Sequence, residues 1–222
     1  MTITRVLGKG RTAPVDSDTF ATLRATYPNV AVDVGTGDGR FAYQLATDDT
    51  RRFVVGLDAL AEPMGERAAT AARKPARGGR PNLVFVHAAV ETLPPELHAV
   101  GDEVYVQLPW GALLEGIVRA RADVLGGLAA LCRPGARVSV TLNGEIWLES
   151  TPARYEDLPV PTPEYVADVV APGFAAAGIA LEPARYASAT DAKGLPTTWA
   201  RRLAHGREHP CFVQFEGTAS GG

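Results

Sequence analysis

Along this chain, short runs of β-branched and apolar residues alternate with longer segments rich in alanine and leucine. The runs predict strands at Val30–Val34, Phe53–Leu57, Leu83–Ala88, Glu103–Leu108, Arg137–Leu142, Ile179–Tyr186 and Cys211–Glu216. Between them, helical spacing predicts helices at Phe41–Thr47, Ala59–Arg73, Ala112–Leu131 and Glu164–Ala177, with a short one over Thr198–His205. Strand and helix in regular alternation give an α/β fold: a seven-stranded, mostly parallel sheet flanked by helices. Ahead of it, Asp16 or Ser17 can cap a helix through Thr26, and Gly8, Gly10 and Pro14 suit a hairpin or extended arm.

Two connections break the alternation. Pro75 to Pro81 carries two prolines and two glycines and reads as a basic loop before the third strand. Ile146 to Pro163 holds Pro152, Pro159, Pro161 and Pro163, a long insertion after the fifth strand. Loops of that length inside a compact domain usually serve function. The 222 residues suit one domain, with residues 1–29 as arm and first helix and 30–217 as a Rossmann-like core.

The composition adds exclusions. An apolar share of 46% supplies a core without a metal or disulfide staple. Cys132 and Cys211 lie far apart, without metal-ligand spacing, so no metal is expected and both read as buried thiols in a reducing compartment. No apolar signal region follows Met1 and no stretch approaches membrane-spanning length, which points to the cytoplasm and away from membranes. A net charge of -3 argues against a protein that coats nucleic acid. The basic residues are nonetheless clustered. Arg67, Arg73, Lys74, Arg77 and Arg80 form one group with no acid among them, and Arg201, Arg202 and Arg207 form another. Flanking one pocket, the two groups would make a phosphate-contacting rim suited to a folded RNA surface.

The chemistry concentrates at Asp33-Val34-Gly35-Thr36-Gly37-Asp38-Gly39, directly after the first core strand. Such a turn brings backbone close to a ligand. Arg40 occupies the place of the third glycine in a dinucleotide fingerprint, which counts against a nicotinamide enzyme. Asp33 and Asp38 would repel a pyrophosphate but suit the ammonium and sulfonium of S-adenosylmethionine (SAM). Asp58 ends the second strand 19 residues after Gly39, where a carboxylate can accept from ribose hydroxyls. Val90 and Glu91, after the third strand, would border the adenine ring.

Gln107-Leu108-Pro109-Trp110-Gly111 closes the fourth strand, facing the reactive end of such a cofactor. Methyltransferases that act on exocyclic amines carry Asn or Asp here; this chain has neither. The ring nitrogen N1 of adenine has an in-plane lone pair and no proton to lose, so stacking and alignment suffice for it. Trp199, followed by Arg201 and Arg202, offers a second stacking face beside phosphate-binding groups.

The glycine turn, Lys74–Leu83, Leu93-Pro94-Pro95, Pro109-Trp110-Gly111, Cys132–Ala136 and Thr197–Leu203 together resemble the Kam family of aminoglycoside-resistance 16S rRNA methyltransferases, typified by KamB and NpmA. The resemblance spans nearly the whole chain. It implies a class I SAM-dependent fold and methylation at N1 of the decoding-site adenine (position 1408 of the rRNA) within the 30S subunit, by a monomer. It implies that Trp110 and Trp199 sandwich the flipped base and that Thr197 positions Trp199 or its loop. Arg67, Arg73, Lys74, Arg201, Arg202 and Arg207 would contact rRNA. SAM would meet Gly35, Asp58, Val90, Glu91, residues 107–112 (Gln107, Leu108 and Trp110 among them) and residues 197–199, with Thr197 and Thr198. At position 107 the resemblance leads one to expect an apolar residue instead of Gln. Two other classes fit the same turn: a SAM enzyme for a small metabolite, with the 146–163 insertion as lid, and a SAM- or RNA-binding relative without catalysis.

Overall fold

The computed structural model describes residues 2–147, 152–187 and 212–220. Strands β1 (Thr2–Gly8) and β2 (Arg11–Asp16) form an antiparallel hairpin. Helix α1 (Ser17–Ala25) follows, capped by Asp16, whose carboxylate accepts from the Thr19 N–H at 2.9 Å. The core then runs β3 (Asn29–Val34), α2 (Arg40–Asp48), β4 (Arg52–Asp58), α3 (Ala61–Ala71), β5 (Leu83–His87), β6 (Gly101–Gln107), α4 (Gly111–Val118), α5 (Ala122–Leu131) and β7 (Cys132–Asn143). After the insertion come a helix over 163–176 and strands β8 (Ile179–Leu181), β9 (Arg185–Ala187) and β10 (Phe212–Ala219).

Among the described residues ten strands share one sheet, ordered β2-β1-β5-β4-β3-β6-β7-β10-β8, with β9 also paired to β10. The seven expected become ten because the β1–β2 hairpin joins the edge beside β5 and one segment divides into β8 and β9. The stretch from β5 to β7 is parallel, and β10 runs antiparallel to β7. Within β4, Phe53, Val55 and Leu57 face the larger apolar core, while Val54 joins Phe85, Met64 and Ala42 on the opposite face. Burial on both faces is why these strands read as unbroken apolar runs. From β3 the chain crosses to β4 on one side, and β6 arrives on the other. The crevice of such a sheet opens outside the carboxyl ends of strands at that reversal.

Each of the seven predicted strand segments carries strand structure, and three differences in detail have physical reasons. The segment Ile179–Tyr186 is two strands, because Pro183 between them has no N–H to give β10; the ladder resumes at Arg185. Ala112–Leu131 is two helices, separated at Ala120, whose φ of 50° no α-helix accommodates. The 163–176 helix passes through a π turn at Val166–Val170, ahead of Pro172, which cannot donate to a carbonyl one turn back. The helix expected over Thr198–His205 lies outside the described residues, as does Cys211. Cys132 is buried and its thiol is pushed up to about 12 by burial. Among the described residues no helix is long and apolar enough to cross a membrane.

Candidate active site

A cleft of about 690 Å³ opens over the carboxyl ends of β3 to β6, and every described residue singled out as a cofactor contact lines it. The turn after β3 forms its floor. The backbone N–H groups of Gly35 and Thr36 both donate to the Leu57 carbonyl, at 2.8 and 3.0 Å, which pins the turn to the end of β4. Gly37 has φ of 55°, and a Cβ there would meet open space instead of protein. That left-handed backbone favours glycine, and the residue lines the cleft.

Asp58 organises this floor. One carboxylate oxygen accepts from the Gly37 N–H and the other from the Leu60 N–H, each at 2.9 Å. Asp33 lies beneath the turn, 2% exposed, and accepts from the Thr36 hydroxyl at 2.5 Å. Burial, reinforced by the charges of Asp58 and Asp38, pushes the Asp33 carboxyl up to about 7 against the opposing Thr36 bond. Asp38 turns instead toward solvent, where it pairs with Arg40 at 3.0 Å and accepts from the Arg40 N–H. That arrangement makes it a cap for α2 as much as a wall of the cleft.

The far wall is the turn Val90–Thr92. Val90 is buried, and α5 lies so close that a Cβ on Gly127 would sit 2.0 Å from the Val90 carbonyl oxygen. Only glycine permits that approach. Glu91 is half-buried beside it. The near wall is the end of β6: Gln107 is buried, and Leu108, with φ of 54°, holds a left-handed backbone rare for a branched residue.

At the mouth, Trp110 is 42% exposed, unlike the buried aromatics of the core. Its ring centre lies 5.9 Å from that of the fully buried Tyr155, tilted by 43°. The Tyr155 hydroxyl accepts from the Gly111 N–H at 2.7 Å. Next to it, Arg154 stacks over the Tyr155 ring and pairs with Glu115 through Nε and Nη2, at 3.1 and 2.7 Å. The insertion thus builds one side of the mouth. Sequence reasoning flagged its length but missed Arg154 and Tyr155, since nothing in a proline-rich stretch tells which residue folds back onto α4.

The first basic group lies on α3 and on the loop that leads into the amino end of β5, outside the residues that line the cleft. The Arg67 side chain adjoins Gly39, whose Cβ would lie 3.2 Å from that of Arg67. Arg67 and Arg80 each lie over the Tyr43 ring, at 5.7 and 4.8 Å from its centre. Arg73, Lys74 and Arg77 are exposed on the loop between α3 and β5. Thr197, Thr198, Trp199, Arg201, Arg202 and Arg207 lie outside the described residues.

Comparison with known proteins agrees with this fold. The family model described as NpmA, 16S rRNA (adenine(1408)-N(1))-methyltransferase, matches residues 4–217. A 16S rRNA (adenine(1408)-N(1))-methyltransferase of Streptoalloteichus tenebrarius is 43% identical over 97% of this chain and 99% of its own. Among solved structures, a tryptophan-to-alanine variant of the corresponding enzyme from Catenulisporales acidiphilia, crystallised with cosubstrate SAM, superposes with a TM-score of 0.91. It is 40% identical over 98% of this chain and 97% of its own. The 16S rRNA methyltransferase KamB superposes with a TM-score of 0.89 at 40% identity, over 98% of this chain and all of its own.

Proposed function

Because this chain belongs to the family of 16S rRNA (adenine(1408)-N(1))-methyltransferases, we propose that its cleft holds SAM along β3, β4 and β5 and receives the target adenine at Trp110. The protein is a SAM-dependent enzyme that methylates 16S rRNA at N1 of that adenine, a modification that gives aminoglycoside resistance. The residues present suit the cofactor. Gly37 leaves open space toward the cleft, Asp33 is a buried acid beneath it, and the Gln107 Oε1 is buried without a partner. When bound, SAM supplies a methyl group on a sulfonium, and its transfer to N1 leaves a positive charge on the adenine ring.

In this reading the side chains bind and orient. Each Asp58 oxygen keeps a lone pair beyond its backbone bond, enough to accept from a ribose hydroxyl. Val90 packs on the adenine ring and Glu91 stands at its edge. Asp33, Gly35, Gly37 and Asp38 form the cradle for the amino-acid end; Gln107 and Leu108 line the reactive end, and Thr197 and Thr198 complete it. Trp110 and Trp199 hold the flipped base between them, with Thr197 positioning Trp199. No side chain has to remove a proton, because N1 carries none. The work of the site is alignment and exclusion of water.

Arg67, Arg73, Lys74, Arg77, Arg201, Arg202 and Arg207 form the rim that meets phosphates of the decoding-site helix on the 30S subunit. The chain acts in the cytoplasm as a monomer and as one catalytic unit across 1–222, with 30–217 as core and 1–29 as arm. The observation that carries this reading is the half-exposed Trp110, braced by Tyr155 at the mouth of a cleft floored by the glycine turn and Asp58. Incubation of the protein with 30S subunits and labelled SAM, followed by mapping of reverse-transcription stops, tests it. One stop at the decoding-site adenine is expected; SAM binding without transfer to 30S would overturn it.

A further inference from the structure

Gln107 is the last residue of β6 and lines the cleft at only 9% exposure. Its Nε2 faces the Ser139 carbonyl at 3.5 Å, which orients the amide. Its Oε1 is buried and has no hydrogen-bond partner. A buried carbonyl left unmatched in a folded protein marks a place where a donor is missing. Thr141, its partner on β7, accepts from the Gln214 amide at 3.3 Å, and its hydroxyl forms no bond to the Gln107 Oε1.

Register shows which donor belongs there. Tyr105 lies level with Asp33 across the β3–β6 pair, so Gln107, two residues on, stands level with Gly35. That is the end of the cleft farthest in strand order from Val90 and Glu91, which follow β5. SAM has three kinds of hydrogen-bond donor. The adenine amine belongs beside Val90 and the ribose hydroxyls beside Asp58, which leaves the ammonium for the β3–β6 end.

We propose that the Gln107 Oε1 is a cofactor-positioning acceptor for the ammonium of SAM, acting with Asp33 on the amino-acid end. The inference rests on the cofactor reading given above. An amide serves here without adding charge: a second carboxylate beside Asp33 would raise the cost of ionising both.

The test is calorimetry on Gln107→Leu and Gln107→Met, two variants of similar volume without an acceptor, with melting curves to identify which are folded. Three ligands are titrated: SAM, S-adenosylhomocysteine, which keeps the ammonium, and 5′-methylthioadenosine, which lacks the amino-acid end. Loss of a hydrogen bond to a charged donor should weaken the first two about tenfold and leave the third within about twofold. Wild-type affinity for SAM in either folded variant would overturn the proposal, as would equal losses for all three ligands. A raised KM for 30S with SAM affinity untouched would also overturn it, assigning the amide to the target base. SAM binding and 30S methylation by the unaltered protein test the cofactor reading itself, and their outcome does not depend on Gln107.

Discussion

The Tyr155 hydroxyl accepts a hydrogen bond from the Gly111 backbone at 2.7 Å, tying the proline-rich insertion to the residue that follows Trp110. The bond gives the insertion a role in setting the angle at which the Trp110 ring meets its base. Tyr155→Phe keeps the buried ring and leaves that N–H unmatched. We expect a loss of about 1–2 kcal/mol in thermal denaturation and a fall in methylation rate with SAM affinity unchanged in calorimetry.

Trp110→Ala should abolish transfer to 30S, with a loss of at least about a hundredfold in kcat/KM, while SAM binding stays within about threefold. Trp199→Ala should behave alike. Single-turnover methylation beside calorimetry separates the two effects; activity retained in both variants would remove stacking from the mechanism.

Asp58→Ala should weaken SAM by about 1–3 kcal/mol through lost hydrogen bonds, and it also releases the Gly37 and Leu60 N–H groups. Asp58→Asn, which keeps one carbonyl acceptor, should lose less. Equal affinity for wild type and Asp58→Ala would place the ribose elsewhere.

The Asp33 carboxyl, raised to about 7, gives the protein a pH signature. A cationic ammonium pairs with the ionised form, so SAM affinity should climb between pH 6 and pH 8 and level off above. Stability runs the other way. A folded pKa above the unfolded value favours the protonated fold, and this advantage is complete at acid pH and lost as pH rises through 7. Asp33→Asn should flatten the affinity profile and raise Tm more at pH 8 than at pH 5, measured without ligand.

Arg73→Glu with Lys74→Glu should weaken 30S binding and lower the slope of log affinity against log salt, because two phosphate contacts are lost. Free SAM should bind these variants as before. A filter-binding series from about 50 to 200 mM salt is the direct check.

Much of this molecule was legible before any coordinates. The strands β3 to β5 announce themselves because both their faces are buried, and the glycine turn and Asp58 because their chemistry sits at fixed offsets from strand ends. What escaped were features decided between distant segments. The break at Ala120 falls within Arg119-Ala120-Arg121, where neither glycine nor proline signals it. Pro183 lies inside a strand-like stretch and splits it only because β10 pairs with both halves. Arg154 and Tyr155 reach the cleft through contacts with Glu115 and Gly111, some forty residues away in sequence. The resemblance carried the rest, naming the target base and the role of each tryptophan, which no periodicity or charge count contains.

Leu108 has a cost that bears on how this enzyme can change. Its left-handed backbone is about 1–2 kcal/mol less favourable than the same turn in glycine. Glycine there would release that strain yet forfeit a side chain only 6% exposed, a loss of about 2–5 kcal/mol. It would also remove a side chain from the wall of the cleft beside Trp110. One side chain thus offsets its own backbone strain by burial while it walls the cleft, so stability and site geometry are secured together at this position.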